Sequence, residues 1–305
     1  MVVIKLRSGE EIAAEEYHID VSAKAVRAKC DGQKLTIPFE AIAMLTCGPS
    51  RMYEGVKTWS PYWGCRFRCV YCEQSFQRQA KRRKRWCELC YRYEPHFHPE
   101  RLKKVPSAET IFCCAFGDVA FARLEWVEQI LETIRKHDDK TFYIQSKDPS
   151  CFLEWERRFE LPDNLVLGTT IESDMVRWID VKRRYYVEYF EISKAPYPSV
   201  RASSMRMLNH PRKYVTIEPI LWFSVWRFKE IDLTVIPLVL WIEKIKPEFV
   251  YVGYDNHSTR LPEPNNVRLP EPSLERTLLL MGELEKITEV RLKTVRRSWW
   301  EDEGI

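Results

Sequence analysis

The pattern of apolar and polar positions changes its rhythm once along the chain, near residue 53. Before that point "VVIKLRSGEEI", "YHIDVSAKAVRAKC" and "KLTIPFEAIAML" alternate apolar with polar residues, the period of strands that bury one face. "SGEE" and "DGQK" supply turn residues between them. Residues 1–50 are therefore expected to form short antiparallel strands closed into a small all-β barrel of SH3-like or Sm-like type, with "CGPSRMYEG" as the linker.

After Tyr53 short β-rich runs alternate with helical stretches. Strands are expected at Val56–Trp59, Thr110–Ala115, Thr141–Gln145, Leu165–Thr170, Tyr214–Ile217 and Phe249–Val252, with "TEVRLKTVRR" a further strand candidate. "ARLEWVEQILETIRKH", "PSVRASSMRMLNH" and "SLERTLLLMGELEKI" carry the amphipathic period of helices. Strand then helix, repeated, predicts parallel βα units, and six or more units predict an α/β fold with a full or partial TIM-type barrel over residues 51–305. "LPEPNNVRLPEPS" is a Pro-rich loop.

Composition adds compartment and partners. The 305 residues are 45% hydrophobic, enough for one large domain and a small appended one. No run approaches the roughly 18 uncharged apolar residues of a membrane span, and "MVVIKLRSGEE" gains charge too early for a secretory signal, so a cytoplasmic protein without membrane association is expected. Ten cysteines in a reducing compartment point to metal or redox chemistry instead of disulfides. Cys30, Cys47 and Cys151 are expected to be plain buried thiols. The net charge of +4 is small, but residues 78–104 hold ten Lys or Arg against three Glu.

The densest chemistry lies in "WGCRFRCVYCEQSF", where Cys65, Cys69 and Cys72 are spaced C-x3-C-x2-C directly after the first barrel strand. That places them on the C-terminal face, where such barrels build their sites. Three thiolates leave one metal position open. A zinc ion would complete it with a fourth protein ligand or water, whereas a four-iron cluster can leave its fourth iron for an outside ligand.

The spacing, with aromatic Tyr71 just before the last cysteine, resembles the cluster loop of the radical S-adenosylmethionine enzymes. "TWSPYWGC", "HPERL", "IFCCAFGD", "QSKDP", "LGTTIES", "YVTIEPIL" and "VYVGYD" are similar to landmarks of a phage- and prokaryote-associated branch, itself distantly similar to spore photoproduct lyase. The likeness runs from about Val56 to Asp255. It implies a [4Fe-4S] cluster on Cys65, Cys69 and Cys72, S-adenosylmethionine chelating the open iron, a reductase or other electron donor, and hydrogen abstraction from a substrate. It also implies that Tyr71 lies near the adenine and that Gly117 and Asp118 meet the methionyl amine. In the last segment, Cys113 and Cys114 stand where small or hydroxyl residues are more usual in the branch, and they become candidates for quenching a radical.

Other candidates follow from position at strand ends. Thr170, Glu172 and Ser173 could bind ribose or the methionyl moiety, and Lys147, in "YIQSKDP" after Gln145 and Ser146, could neutralise a carboxylate. Glu218 precedes Pro219, points a carboxylate into the mouth of the barrel, and is a candidate both for catalysis and for contact with the cofactor. Asp255, Asn256 and His257 follow another strand, and His257 is a candidate proton donor. In the segment at about 76–104, Cys87, Cys90, His96 and His98 form a compact C-x2-C and H-x-H set, open to three readings: a zinc knuckle, an auxiliary cluster or no metal, with His98 then serving barrel packing. Beside it Lys81, Arg82, Arg83, Lys84 and Arg85 could neutralise phosphates while Trp86, Tyr91 and Tyr93 stack on unpaired bases. The leading substrate class is nucleic acid, undergoing modification or repair, with a peptide or small molecule as the alternative. The competing function is a nonenzymatic nucleic-acid-binding protein with structural zinc.

Overall fold

The computed structural model describes residues 1–46, 55–180, 185–228, 230, 233–257 and 259–302. The expected linker falls mostly outside them, as do Cys47 and the expected boundary at residue 50. Seven strands form one parallel sheet in chain order: Val56–Trp59, Thr110–Cys113, Thr141–Gln145, Leu165–Thr170, Lys213–Ile217, Phe249–Val252 and Glu289–Leu292. Val56–Trp59 and Glu289–Leu292 are its edges, so the TIM-type barrel is partial, an open arc. Leu165–Thr170, Lys213–Ile217 and Phe249–Val252 are buried at every position, as parallel strands covered on both faces must be.

Helices supply the outer cover. Leu124–Arg135 turns Val127, Ile130, Leu131 and Ile134 to the sheet, the stripe that i, i+3, i+4 spacing predicts, each burial contributing about 1.5–3 kcal/mol. Leu274–Leu284 starts at Ser273, whose Oγ accepts from Arg276 N at 3.2 Å, a cap that contributes about 1 kcal/mol. Helices Ser150–Arg158 and Pro237–Ile245 are not expected from the pattern. The first is short, and the second begins as the apolar run "PLVLWI", which periodicity cannot tell from a buried strand.

The N-terminal strands are antiparallel as expected, but they lie in two sheets. Glu16–Asp20, Ala25–Cys30 and Gln33–Pro38 make one; Glu11–Ala14, Val2–Leu6 and Ile42–Thr46 make the other, extended by Val295–Arg296 from the far end of the chain. Ile4, Val26 and Leu45 pack in the same apolar cluster as Ile242 and Leu278. No helix among the described residues is long and apolar enough to cross a membrane.

Inside the arc, Tyr214, Phe249, Tyr251 and Tyr143 fill the end nearer the strands' N-termini. Gly168 makes room for them: a Cβ there would lie 2.2 Å from the Tyr214 ring. Above this plug Gln145 donates to Thr170 Oγ1 at 2.9 Å and accepts from Thr216 Oγ1 at 3.2 Å. These three side chains also line the cavity above, so the barrel is closed below and open at the C-terminal mouth.

Candidate active site

A cavity of about 590 Å3 occupies that mouth, within the roughly 300–1,000 Å3 of small-molecule sites. Its lining follows the two-residue alternation of strands. Phe112 and Cys114, Gln145 and Lys147, Thr170, Thr216 and Glu218, and Lys293 all face it. Of the residues expected here, Cys65, Cys69, Cys72, Tyr71, Gly117 and Asp118 also line it, as do Asp255, Asn256 and His257.

Cys113 and Ser173 are not part of this lining. Cys113 ends its strand at 1% exposure in the main apolar cluster, which also holds Cys114, and its Sγ lies 3.5 Å from Cys114 Sγ. Ser173, one step past Glu172, is fully buried off the cavity, where its Oγ donates to Trp222 O at 2.7 Å and accepts from Met175 N. Both serve packing.

The three cysteines close one side of the cavity. Cys65 and Cys72 are half-buried, Cys69 buried, and all three share an apolar cluster with Phe67 and Ala195. Phe67 N donates to Cys65 Sγ at 3.4 Å, and Cys69 Sγ lies 3.1 Å from Ser193 Oγ. Burial, together with Cys69 and Asp118, pushes the Cys65 and Cys72 thiols far up, although Lys147 eases Cys72. Crowded thiols like these ionise when a cation joins them. Three thiols beside a cavity, offered N–H and O–H groups, are a donor set that fits a thiolate-bound metal group with one position left open.

Glu172 stands just behind the wall and joins residues that are separate candidates in the sequence. Tyr71 donates to its Oε1 at 2.8 Å and Lys147 pairs with the same oxygen. Arg201 binds Oε2 at 2.6 Å and also donates to Tyr189 Oη and Thr170 O, both at 2.5 Å. Burial alone would push this carboxyl up, but the Arg201 and Lys147 cations outweigh it and hold it well below the usual range. Lys147 also lies 5.2 Å from the Tyr71 ring centroid. Glu172 therefore acts as a charged anchor for Tyr71 and Lys147, which themselves face the cavity.

Asp118 has a comparable duty. Its carboxylate accepts from Ser146 Oγ at 2.6 Å, Lys147 N at 2.8 Å and Ala120 N at 3.1 Å, joining two strand-end loops. Gly117 is required by close packing: its Cβ would lie 2.9 Å from Gly64 N and O. Across the mouth Glu218 pairs with Lys293, and Asp255 accepts from His257 N at 3.2 Å and Thr259 N at 2.6 Å, which fixes the His257 loop.

Arg201, Tyr189, Ser193 and Lys293 are not among the residues that the sequence nominates. Lys293 carries a usable signal, since it follows a strand as Glu218 does. Arg201 carries none, because a buried Arg inside "PSVRASSMRM" reads like any polar helix face.

The second metal set converges. His96 Nε2 lies 3.4 Å from Cys87 Sγ, 3.3 Å from Cys90 Sγ and 2.8 Å from His98 Nε2, and His98 Nε2 is 3.2 Å from Cys90 Sγ. Burial and nearby Arg101 lower both histidines, favouring neutral rings, while burial and Cys87 push the Cys90 thiol up to about 12. The basic run 81–85 is exposed, and Trp86 is 82% exposed. Tyr91 is overlaid by Lys81 and Lys84 at 5.5 and 5.3 Å. Tyr93 departs from the expected stacking role because it faces inward and lines the cavity.

The sequence matches no protein-family model and no curated protein. Among solved structures the chain is similar to Streptococcus suis SuiB bound to precursor peptide SuiA. The two share 9% identity and a TM-score of 0.41 over 78% of this chain and 48% of that one. The chain thus spans about half the length of that structure.

Proposed function

We propose that the chain is a radical S-adenosylmethionine enzyme of the branch resembled by its motifs, acting on nucleic acid. One observation carries the reading: three cysteines in C-x3-C-x2-C spacing face a cavity of about 590 Å3 at the C-terminal mouth of a parallel half-barrel. A [4Fe-4S] cluster on Cys65, Cys69 and Cys72 would supply one electron for homolysis of S-adenosylmethionine. The chain's own residues bind, orient and exclude water. Tyr71 and Lys147, anchored through Glu172, present a ring and a cation to the bound metabolite. Thr170 and Thr216 offer hydroxyls from the floor, and the aromatic plug keeps water from entering below. Glu218 with Lys293 and His257 are left for the substrate side, with Cys114 the thiol available there in place of Cys113.

Nucleic acid is favoured by the exposed Lys81–Arg85 run and Trp86, which come a short helical stretch after Ser75 and Phe76 of the cavity lining. The N-terminal strands are read as a small SH3-like or Sm-like barrel, a type suited to the same partner, by analogy of fold alone.

The deciding experiment is anaerobic reconstitution with iron and sulfide, followed by reduction in the presence of S-adenosylmethionine. Thiolate-to-iron absorbance and 5′-deoxyadenosine are expected, and Cys69→Ala is expected to abolish both. Zinc without iron on the trio would instead support the nonenzymatic binding protein.

A further inference from the structure

We infer that Cys87, Cys90, His96 and His98 bind one structural Zn2+, and that this ion braces the loop carrying Cys65. The four ligand atoms lie within 4.8 Å of one another. Bonds of about 2.3 Å to sulfur and 2.0–2.1 Å to nitrogen give tetrahedral edges of about 3.3–3.8 Å. The separations of 2.8–3.4 Å between His96 and Cys87, His96 and Cys90, His98 and Cys90, and the two histidines are a few tenths tighter; the pairs of Cys87 with Cys90 and with His98 lie within 4.8 Å. A cluster of several irons would hold its ligands farther apart, so one ion is indicated. Two thiolates with two imidazoles in a tetrahedron are a zinc donor set, and four protein ligands leave no position for catalysis.

The outer partners agree. His96 Nδ1 is 2.7 Å from Glu94 O and His98 Nδ1 is 3.0 Å from Glu100 Oε1, arrangements that leave each Nε2 lone pair for a metal. Cys90 N donates to Cys87 Sγ at 3.4 Å. His96 opens the short strand His96–Phe97 and His98 follows it, while Cys87 caps and Cys90 lies within the helix Glu88–Arg92.

The bracing follows from what this knuckle touches. The strand His96–Phe97 pairs with Tyr62–Trp63, His98 N donates to Pro61 O at 2.7 Å, and Cys65 N donates to Tyr93 O at 3.2 Å. Gly64, at φ +93°, fits so closely that a Cβ would lie 2.2 Å from Glu94 C. The ion would tie the helix to the strand that grips residues 61–65. The metal site stands on its own donors; its bracing of a cluster loop rests on the proposed function.

Zinc per chain, measured on full-length protein purified without chelator, tests the site. One zinc is expected in the wild type and in the Cys65→Ser/Cys69→Ser/Cys72→Ser variant, and none in Cys90→Ser. Zinc missing from the wild type after incubation with Zn2+, or lost with the trio and kept in Cys90→Ser, overturns it. Should Cys90→Ser fail to fold, His98→Cys, which keeps four donors, is expected to retain the ion; its loss there also overturns the site. The brace is read by trypsin cleavage after exposed Arg92, expected to speed up by about tenfold or more when zinc is stripped from the trio variant. An unchanged rate after verified zinc loss overturns the brace. Neither readout depends on iron or on 5′-deoxyadenosine, so failure of the proposed function would be seen separately.

Discussion

The guanidinium of Arg201 lies 2.6 Å from the carboxylate of Glu172, and neither side chain is exposed to solvent. Removing one member of such a pair leaves an uncompensated buried charge and costs about 3–5 kcal/mol. Glu172 keeps Lys147 and Tyr71 as partners, so Arg201→Met is expected to lower stability by about 3 kcal/mol, the low end of that range, in denaturant titrations. Adding Glu172→Met should cost less than the sum of the two single changes.

The same pair sets a pH dependence. Because the Glu172 carboxyl is held well below its usual range, its contribution is complete above the ordinary glutamate pKa of about 4.3. It is lost as pH falls through the lower folded value, so stability rises with pH across the acid range. Glu172→Gln should flatten that rise. Unfolding midpoints of both proteins, measured from neutral pH into the acid range, check it, and parallel curves would refute the assignment.

Gly64 sits between two backbones, with Gly117 on one side and Glu94–Pro95 on the other. A Cβ there meets both a left-handed conformation and a hard contact, about 1–2 kcal/mol for the first and 1–3 for the second. Gly64→Ala is expected to destabilise by roughly 2–5 kcal/mol in thermal or urea unfolding. It should also lower iron retention after reconstitution, since the next residue is Cys65.

Much of the fold is legible in the chain because period-two alternation and strand-end position suffice for it. Four of the six strands assigned to the barrel begin and end where expected, and the alternation explains why Phe112, Gln145 and Thr170 look inward. Cys113 and Ser173 are nominated by position at or after a strand end, which does not tell whether a side chain there joins the cavity lining. Arg201 is illegible for a different reason: a buried cation is recognisable only by its partners, and Glu172 and Tyr189 come from separate segments. The extension of the N-terminal sheet by Val295–Arg296 is likewise a pairing across nearly the whole chain, with no local signal.

Glu218 and Lys293 pair across the mouth from different strand ends, with side chains 21% and 11% exposed. If both serve the bound metabolite or substrate as one unit, their effects should not add. Glu218→Gln and Lys293→Gln are each expected to slow 5′-deoxyadenosine formation. The double variant should reveal a coupling of roughly 0.5–3 kcal/mol. Additive losses, measured at low and at saturating S-adenosylmethionine, would mean that the two act separately.

The basic run offers the sharpest check on substrate class, because electrostatic and stacking contributions have different signatures. For every phosphate left without its cation, the slope of log affinity against log salt should fall by about 0.7 on a single strand and by about 0.9 on a duplex. Lys81→Ser/Arg82→Ser/Lys84→Ser/Arg85→Ser should therefore flatten the salt dependence of oligonucleotide binding, read by fluorescence anisotropy. Trp86, 82% exposed, is the one nominated aromatic with a largely open face, and a stacked base contributes about 1–3 kcal/mol. Trp86→Ala should weaken single strands by that amount while leaving the slope unchanged, and it should affect duplexes little because their bases are already stacked. Binding that is indifferent to all five substitutions would remove this segment from the interface and shift the substrate toward a peptide or small molecule.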